Sequence, residues 1–148
     1  MKDQIFIVKN PSTNYIKQVA VKVGKYKAYK EISEANFIKH TIRRILSGNA
    51  LFIMSFADED KKVVTGFVAL SEVDTYDGKA LIIENAWGEK TNRNGKKIWE
   101  AIKDIAKTLN YKKIIAETQR STKAIAKKYG FEERSRIIEY KIEENSNG

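Results

Sequence analysis

The stretch IIENAWGEKTNRNGKKIWEAI, residues 82–102, decides the fold of this chain. It begins as an apolar strand, passes through the polar loop Thr91–Lys97, and continues with apolar residues every three or four positions, which is the spacing of an amphipathic helix. A strand that leads through a short loop into a helix is the first half of a strand–helix–strand crossover. The sequence therefore predicts a crossover at this point, with the helix packed on a sheet.

The segments around this crossover read as further strands and helices. A tight turn is predicted at residues 76–79 (YDGK), because Asp-Gly favours the hairpin turn types. The predicted strands are Gln4–Lys9, Tyr15–Val23, Ala50–Phe56, Val63–Val73, Ala80–Trp87, Lys112–Thr118 and Glu133–Ile142, and the predicted helices are Glu34–Leu46, Lys96–Leu109 and Thr122–Tyr129. Hairpins followed by crossovers predict an α/β (α+β) fold with a mixed, mostly antiparallel sheet and helices on both faces.

Length and composition predict one cytoplasmic domain. The chain has 148 residues, no cysteine and a single histidine, His40, so we expect no disulfide and no metal site. No apolar run approaches the roughly 18–20 residues needed to cross a bilayer, and the first ten residues do not resemble a signal peptide. We expect residues 1–148 to form a single domain, in which the role of residues 1–30 is open and residues 143–148 form a frayed tail.

The loop Thr91–Lys97 has the features of an anion site. Gly95 allows a ligand to approach the backbone closely, and a helix that begins here presents free N–H groups and partial positive charge. Arg93, Lys96 and Lys97 add fixed positive charge. The alternative is an ordinary helix start in which Asn94 is the N-cap and the lysines are solvated.

A second motif lies downstream, in the segment TQRSTKAIAKKYGFE at residues 118–132. With the crossover it resembles the GNAT superfamily of acyl-CoA-dependent N-acyltransferases, in which a loop (Q/R)-x-x-G-x-(G/A) opens the helix and Gly-Phe follows a later short helix. Gly130 and Phe131 match that second signature, and the element order from Glu34 to Ile142 matches the family. In the loop, either Asn92 or Arg93 takes the leading position.

The resemblance implies acetyl-CoA as the acyl donor and an amine as the acceptor. It implies that Glu84, or else Glu117, serves as the base, although Glu84 could equally be an exposed or paired glutamate. The family often has a tyrosine as general acid where this chain has Ala126. The residues implied to hold acetyl-CoA are Asn85, Ala86 and Trp87 at the thioester, Asn92, Arg93, Asn94, Gly95, Lys96 and Lys97 at the pyrophosphate, and Gln119 at the pantetheine arm.

The formal net charge of +9 supports a second interpretation. The chain could be a GNAT-like binding module without catalysis, which acts on a nucleic acid or an acidic protein, for example as a phage counter-defence protein. The basic cluster Lys39, His40, Arg43 and Arg44 on the first predicted helix corresponds to a region that borders the acceptor site in the family, or else is a solvated helix face. A homodimer is common on such folds and is left open.

Overall fold

The computed structural model describes residues 4–23, 33–57, 59–88, 95–116, 130–132, 140 and 142. Contacts between Cα atoms divide the chain into two compact units, Met1–Glu117 and Thr118–Gly148. All of the helices and strands described below belong to the first unit. Residues 130–132, 140 and 142 belong to the second, where Gly130 has the left-handed φ of 78° that favours glycine.

In the described ranges the first unit is a mixed α/β structure around one sheet. The strands lie in chain order, so β1 to β4 form three successive antiparallel pairs, and β4 pairs in parallel with β5 across the crossover helix α3. The elements are β1 (Gln4–Val8), α1 (Thr13–Val23), α2 (Glu34–Ser47), β2 (Ala50–Phe56), β3 (Val64–Thr75), β4 (Gly78–Gly88), α3 (Gly95–Thr108) and β5 (Ile114–Ala116).

Helices cover both faces of the sheet, as the sequence predicts. In β2, Phe52 and Met54 pack in the cluster that contains the buried residues of α1 and α2. Between them, Ile53 points the other way and joins the cluster that contains Ile102 and Ile105 of α3. Successive residues of a strand alternate between faces, so a fully apolar strand serves two cores at once.

The prediction of a strand at Tyr15–Val23 is wrong, because α1 occupies Thr13–Val23. Its buried residues, Ile16, Val19, Ala20 and Val23, recur at the three- and four-residue spacing of one helix face. The Oγ of Ser12 accepts a hydrogen bond from the Tyr15 N–H at 3.4 Å and caps the first turn. The β-branched residues of this segment alternate over a short run, and that alternation concealed the helical spacing.

The ends of α2 follow the predicted capping chemistry. Ser33 is the N-cap, and its Oγ accepts a hydrogen bond from the Asn36 N–H at 3.1 Å. Gly48 ends the helix with a left-handed φ of 76°, and its N–H donates to the Ile45 carbonyl. Phe37 anchors the helix on the sheet, because its ring lies 6.1 Å from that of Phe67 in β3.

The other predicted elements divide into those that the structure describes and those that it does not. The predicted helix Lys96–Leu109 and the predicted strands at β1 to β4 are confirmed within one or two residues at each end. The turn between β3 and β4 is also confirmed, at Tyr76 and Asp77 with Gly78 at a φ of 112°. Of the predicted strand Lys112–Thr118, Ile114–Ala116 form β5, Lys112 and Lys113 precede the strand, and residues 117 and 118 lie outside the described residues. The predicted helix Thr122–Tyr129, strand Glu133–Ile142 and tail 143–148 lie outside the described residues, apart from Tyr140 and Ile142.

A polar contact joins the β3–β4 hairpin to the loop after α3. The hydroxyl of Tyr111 donates a hydrogen bond to Oε1 of Glu72 at 2.9 Å, and the Lys79 amine lies 3.4 Å from Oε2 of the same carboxylate. Burial and the hydrogen bond to Glu72 raise the pKa of the Tyr111 phenol above its ordinary value. The C-terminal end of α3 is therefore held on the sheet by this polar contact as well as by the apolar face of the helix.

We predict that Tyr111→Phe lowers the free energy of unfolding by about 1 kcal/mol, the usual net value of a hydrogen bond. Because the folded state raises the phenol pKa, this stabilisation is complete below a pH of about 10, where a free tyrosine titrates, and is lost as the pH rises through the folded pKa. Urea unfolding as a function of pH measures both effects. Tyr76→Phe in the exposed hairpin turn is the matched control. Equal stability of the two variants at neutral pH would contradict the prediction.

Candidate functional site

A β-bulge interrupts β4 at Glu84. On the neighbouring strand β3, Leu70 pairs with Ile83 and Ala69 pairs with Asn85, so Glu84 is an extra residue with no partner in the register. Such a residue bends its strand and lets the side chain point in a direction that the regular alternation forbids. Bulges are common beside active sites for this reason.

The carboxylate of Glu84 points at α2. Its Oε1 lies 2.5 Å from Nη2 of Arg44, and its Oε2 lies 3.7 Å from Nε2 of His40. The side chain of Glu84 is 21% exposed and that of Arg44 is 30% exposed, whereas that of His40 is 56% exposed. The carboxylate is therefore less exposed than the imidazole that it faces, and Glu84 is the paired glutamate that the sequence left as an alternative.

The bulge also reverses the faces of the rest of β4. Regular alternation would place Ile83, Asn85 and Trp87 on one face, with Glu84 opposite. Directly paired residues share a face. Ile83 therefore lies on the α3 side with Leu70, whereas Asn85 lies on the other side with Ala69. Glu84 therefore does not point opposite to both of its neighbours, as it would in a regular strand, because the extra residue resets the alternation.

After the bulge, the larger side chains of β4 lie on the α1–α2 face. Trp87 is buried there and pairs across to Phe67. Ala86 pairs with Val68 and belongs to the opposite face. The parallel pairing described between β4 and β5 runs from Leu81 to Ile83. Asn85 to Trp87, the residues predicted to contact the thioester, therefore come directly after the bulge. The last described parallel pair, at Ile83, lies just before the bulge.

The first turn of α3 is exposed. The helix begins at Gly95, and the side chains of Lys96 and Lys97 lie in solvent. A Cβ built on Gly95 meets no atom within 4 Å in the described part of the chain, so no described residue covers this backbone. The first N–H groups of a helix have no partner within it, and they carry partial positive charge.

The remaining predicted site residues lie outside the described part of the chain. Asn92, Arg93 and Asn94 precede α3, and Glu117 and Gln119 follow β5. The described residues bring together Glu84 with Asn85, Ala86 and Trp87 on β4, and Gly95 with Lys96 and Lys97 on α3.

Two contacts of Glu84 were not foreseen. The sequence indicates His40 and Arg44 as part of a basic cluster, and their spacing of four residues places them on one side of α2. That they meet Glu84 is visible only in the structure, because the two segments lie 40 or more residues apart in the chain.

Metal-binding and membrane-spanning features are absent from the ranges that the structure describes. No three His, Asp or Glu side chains within these ranges come close enough to hold a metal ion. No helix in the same ranges is long and apolar enough to cross a membrane.

No family model matches the sequence, and no curated protein matches it closely enough to count as a relative. Comparison of structures, by contrast, finds many acetyltransferases.

A predicted acetyltransferase from Clostridium acetobutylicum, solved with acetyl-CoA, superposes with a TM-score of 0.66 at 17% identity, over 94% of this chain and 96% of that one. An aminoglycoside N-acetyltransferase in complex with CoA superposes with a TM-score of 0.68 at 14% identity, over 96% of this chain and 97% of that one.

The glucosamine-6-phosphate N-acetyltransferase from Arabidopsis thaliana gives a TM-score of 0.66 at 17% identity, over 95% of this chain and 99% of that one. The TM-scores establish a shared architecture, whereas identities as low as these leave the substrates open. The protein therefore has the GNAT fold, the fold of the acyl-CoA-dependent N-acyltransferases.

Proposed function

We propose that this protein is a cytoplasmic N-acyltransferase that transfers an acetyl group from acetyl-CoA to an amine. The observation that carries the proposal is the bulge of β4, which brings Asn85 and Trp87 to the side of the sheet on which the carboxylate of Glu84 lies, in a chain that shares its fold with acetyltransferases. Acetyl-CoA supplies a thioester, whose carbonyl carbon is open to attack by an amine. The protein has to bind this donor, orient it, and remove a proton from the acceptor.

The first turn of α3 fits the pyrophosphate of the donor. Open space lies in front of Gly95 among the described residues, and the lysines at 96 and 97 are exposed beside it. A helix N-terminus with nearby cations is a favourable anion site, because backbone dipoles and fixed charges act together. Arg93, with Asn92 and Asn94, completes this site in our proposal, and Gln119 holds the pantetheine arm.

The order of β4 and α3 in the chain sets the orientation of the donor in this proposal. With its phosphates at the start of α3, the thioester end extends along β4 toward Asn85–Trp87. Glu84 immediately precedes these residues, and its carboxylate lies on the α2 side of the sheet. We propose that this carboxylate provides the negative charge on which deprotonation of the amine depends. Glu117 is the alternative from the sequence.

Binding of the donor tests the anion site. We predict that the double substitution Lys96→Gln and Lys97→Gln weakens acetyl-CoA binding roughly 10- to 100-fold, since a charge-assisted hydrogen bond contributes about 1.5 kcal/mol or somewhat less at an exposed site. Isothermal titration calorimetry with acetyl-CoA measures the affinity.

The matched control is the double substitution Lys107→Gln and Lys112→Gln, which changes the net charge equally at exposed positions away from the start of α3. A wild-type protein that gives no heat and no thermal shift with millimolar acetyl-CoA would contradict the proposal. Equal weakening by both double variants would show that only the overall charge matters.

Turnover tests the carboxylate. We predict that Glu84→Gln lowers kcat by about two orders of magnitude, within the range for loss of acid–base assistance, and leaves acetyl-CoA affinity within about twofold of wild type. The assay follows thiol release from acetyl-CoA with a panel of free amino acids, polyamines, amino sugars and lysine-containing peptides. Glu72→Gln, at the far end of the β3–β4 hairpin, is the control. A wild-type kcat in Glu84→Gln would argue against the role of Glu84.

A binding module for nucleic acid or an acidic protein is the second candidate. The observation that favours it is the exposure of Lys39 and Arg43 on α2, next to the cluster around Glu84. If DNA is the partner, we predict that affinity for a random-sequence duplex falls steeply as salt rises, because each neutralised phosphate releases counterions. Fluorescence anisotropy between about 50 and 200 mM salt, the range in which such proteins lose affinity, measures the slope.

A flat response to salt would exclude DNA as the partner. The variant with Lys39→Gln and Arg43→Gln should reduce the slope by about one for each phosphate that the protein no longer neutralises. Sedimentation of the same samples tests the homodimer, which remains part of the proposal.

A further inference from the structure

We infer that His40 is the group that takes the proton from the acceptor amine, and that Glu84 and Arg44 are positioning residues that act through it. The inference rests on the proposed function and names the atoms that carry out its proton transfer. It starts from the contacts of Glu84, in which each carboxylate oxygen faces a different residue of α2.

The contacts leave Glu84 poorly placed to meet an amine directly. Arg44 holds Oε1 at 2.5 Å, so that oxygen is engaged. The other oxygen, Oε2, faces Nε2 of His40 at 3.7 Å. The imidazole, which is 56% exposed, is more open to an acceptor from solvent than the carboxylate, which is 21% exposed.

The chemistry of the groups points the same way. Imidazole is the side chain best suited to accept and release a proton near neutral pH. A carboxylate beside it stabilises the imidazolium that forms and fixes the ring, as the acid does in a catalytic triad. The separation of 3.7 Å is longer than a hydrogen bond, and such contacts tighten when the imidazole gains its charge.

Arg44 completes the arrangement. Its Nε is buried and has no hydrogen-bond partner among the described residues, whereas its Nη2 contacts the carboxylate of Glu84. That contact ties the bulged residue to the same helix that carries His40, four residues earlier. The charged groups around the imidazole in the described ranges are Glu84 on β4 and Arg44, Lys39 and Arg43 on α2.

Protons and electron pairs balance in the transfer. Nδ1 of His40, the ring nitrogen that does not face Glu84, takes one proton from the acceptor ammonium, and the nitrogen electron pair that is freed attacks the thioester carbon. The carbon–sulfur bond breaks as the amide bond forms, and the second proton of the amine goes to the departing sulfur. His40 then releases its proton to water and is ready for another turnover.

The test removes the imidazole and then returns it in solution. We expect His40→Ala to lower kcat roughly 100-fold or more, with the KM for acetyl-CoA within about twofold of wild type. Imidazole added to the assay should raise the rate of His40→Ala by about tenfold or more. It should leave wild type and the exposed control Lys17→Ala on α1 unchanged.

Arg44 has its own test. Arg44→Gln should lower kcat without changing the KM for acetyl-CoA, and Arg44→Lys should recover most of the rate because it restores the charge beside Glu84.

Chemical modification of His40 gives a further test of its role. His40 is the only histidine, so diethyl pyrocarbonate should abolish turnover as one imidazole per chain reacts, and hydroxylamine should reverse both.

The outcomes separate the two proposals. If wild type binds acetyl-CoA and turns over, but His40→Ala keeps its kcat or gains nothing from imidazole, the role of His40 is overturned and the acyltransferase stands. If wild type neither binds acetyl-CoA nor releases thiol with any amine of the panel, the proposed function fails, and the inference fails with it.

Discussion

One extra residue in β4 sets the direction of every later side chain in that strand. Without the bulge at Glu84, Trp87 would face α3 and its place in the core under α1 and α2 would be empty. With it, Leu81 and Ile83 serve the core on the α3 side, and Trp87 serves the other. Both cores and the candidate site depend on this single interruption of the register.

The ion pair of Glu84 with Arg44 explains how an acid is accommodated in an apolar strand. A carboxylate that leaves water needs a partner of opposite charge and good geometry. Arg44 provides that partner from a neighbouring element, so α2 and β4 are joined by charge, while the packing of Phe37 on Phe67 holds α2 on the sheet. The same contact gives the carboxylate one orientation, which is a requirement for any role in catalysis.

The GNAT fold accounts for the position of the site, whereas its chemistry follows from particular residues. A strand that turns directly into a helix brings a helix N-terminus next to a strand end, and both ends are suited to bind an anionic ligand with a long arm. The loop between them departs from the family motif, with lysine near the start of α3 where a small residue is usual.

The sequence by itself determined most elements and the class of the fold. Three features are local signals: the apolar spacing in α3, the caps of α2 at Ser33 and Gly48, and the turn before Gly78. Such signals depend on neighbours in the sequence, so they can be recognised without knowing what each element packs against. The sequence-based prediction was wrong at α1. The valines of this short segment fit both the two-residue period of a strand and the spacing of a helix, and only packing against the sheet selects the helix.

Tertiary structure alone decided the surroundings of Glu84. A bulge arises from how two strands register against each other, and nothing in the order of residues 82–88 marks which one is extra. The meeting of Glu84 with Arg44 and His40 joins segments that are far apart in the chain, through the packing of α2 on the sheet. The sequence therefore indicated Glu84 as a candidate, and the tertiary structure brought it into contact with Arg44 and His40, because the neighbours of a side chain are set by packing rather than by its place in the chain.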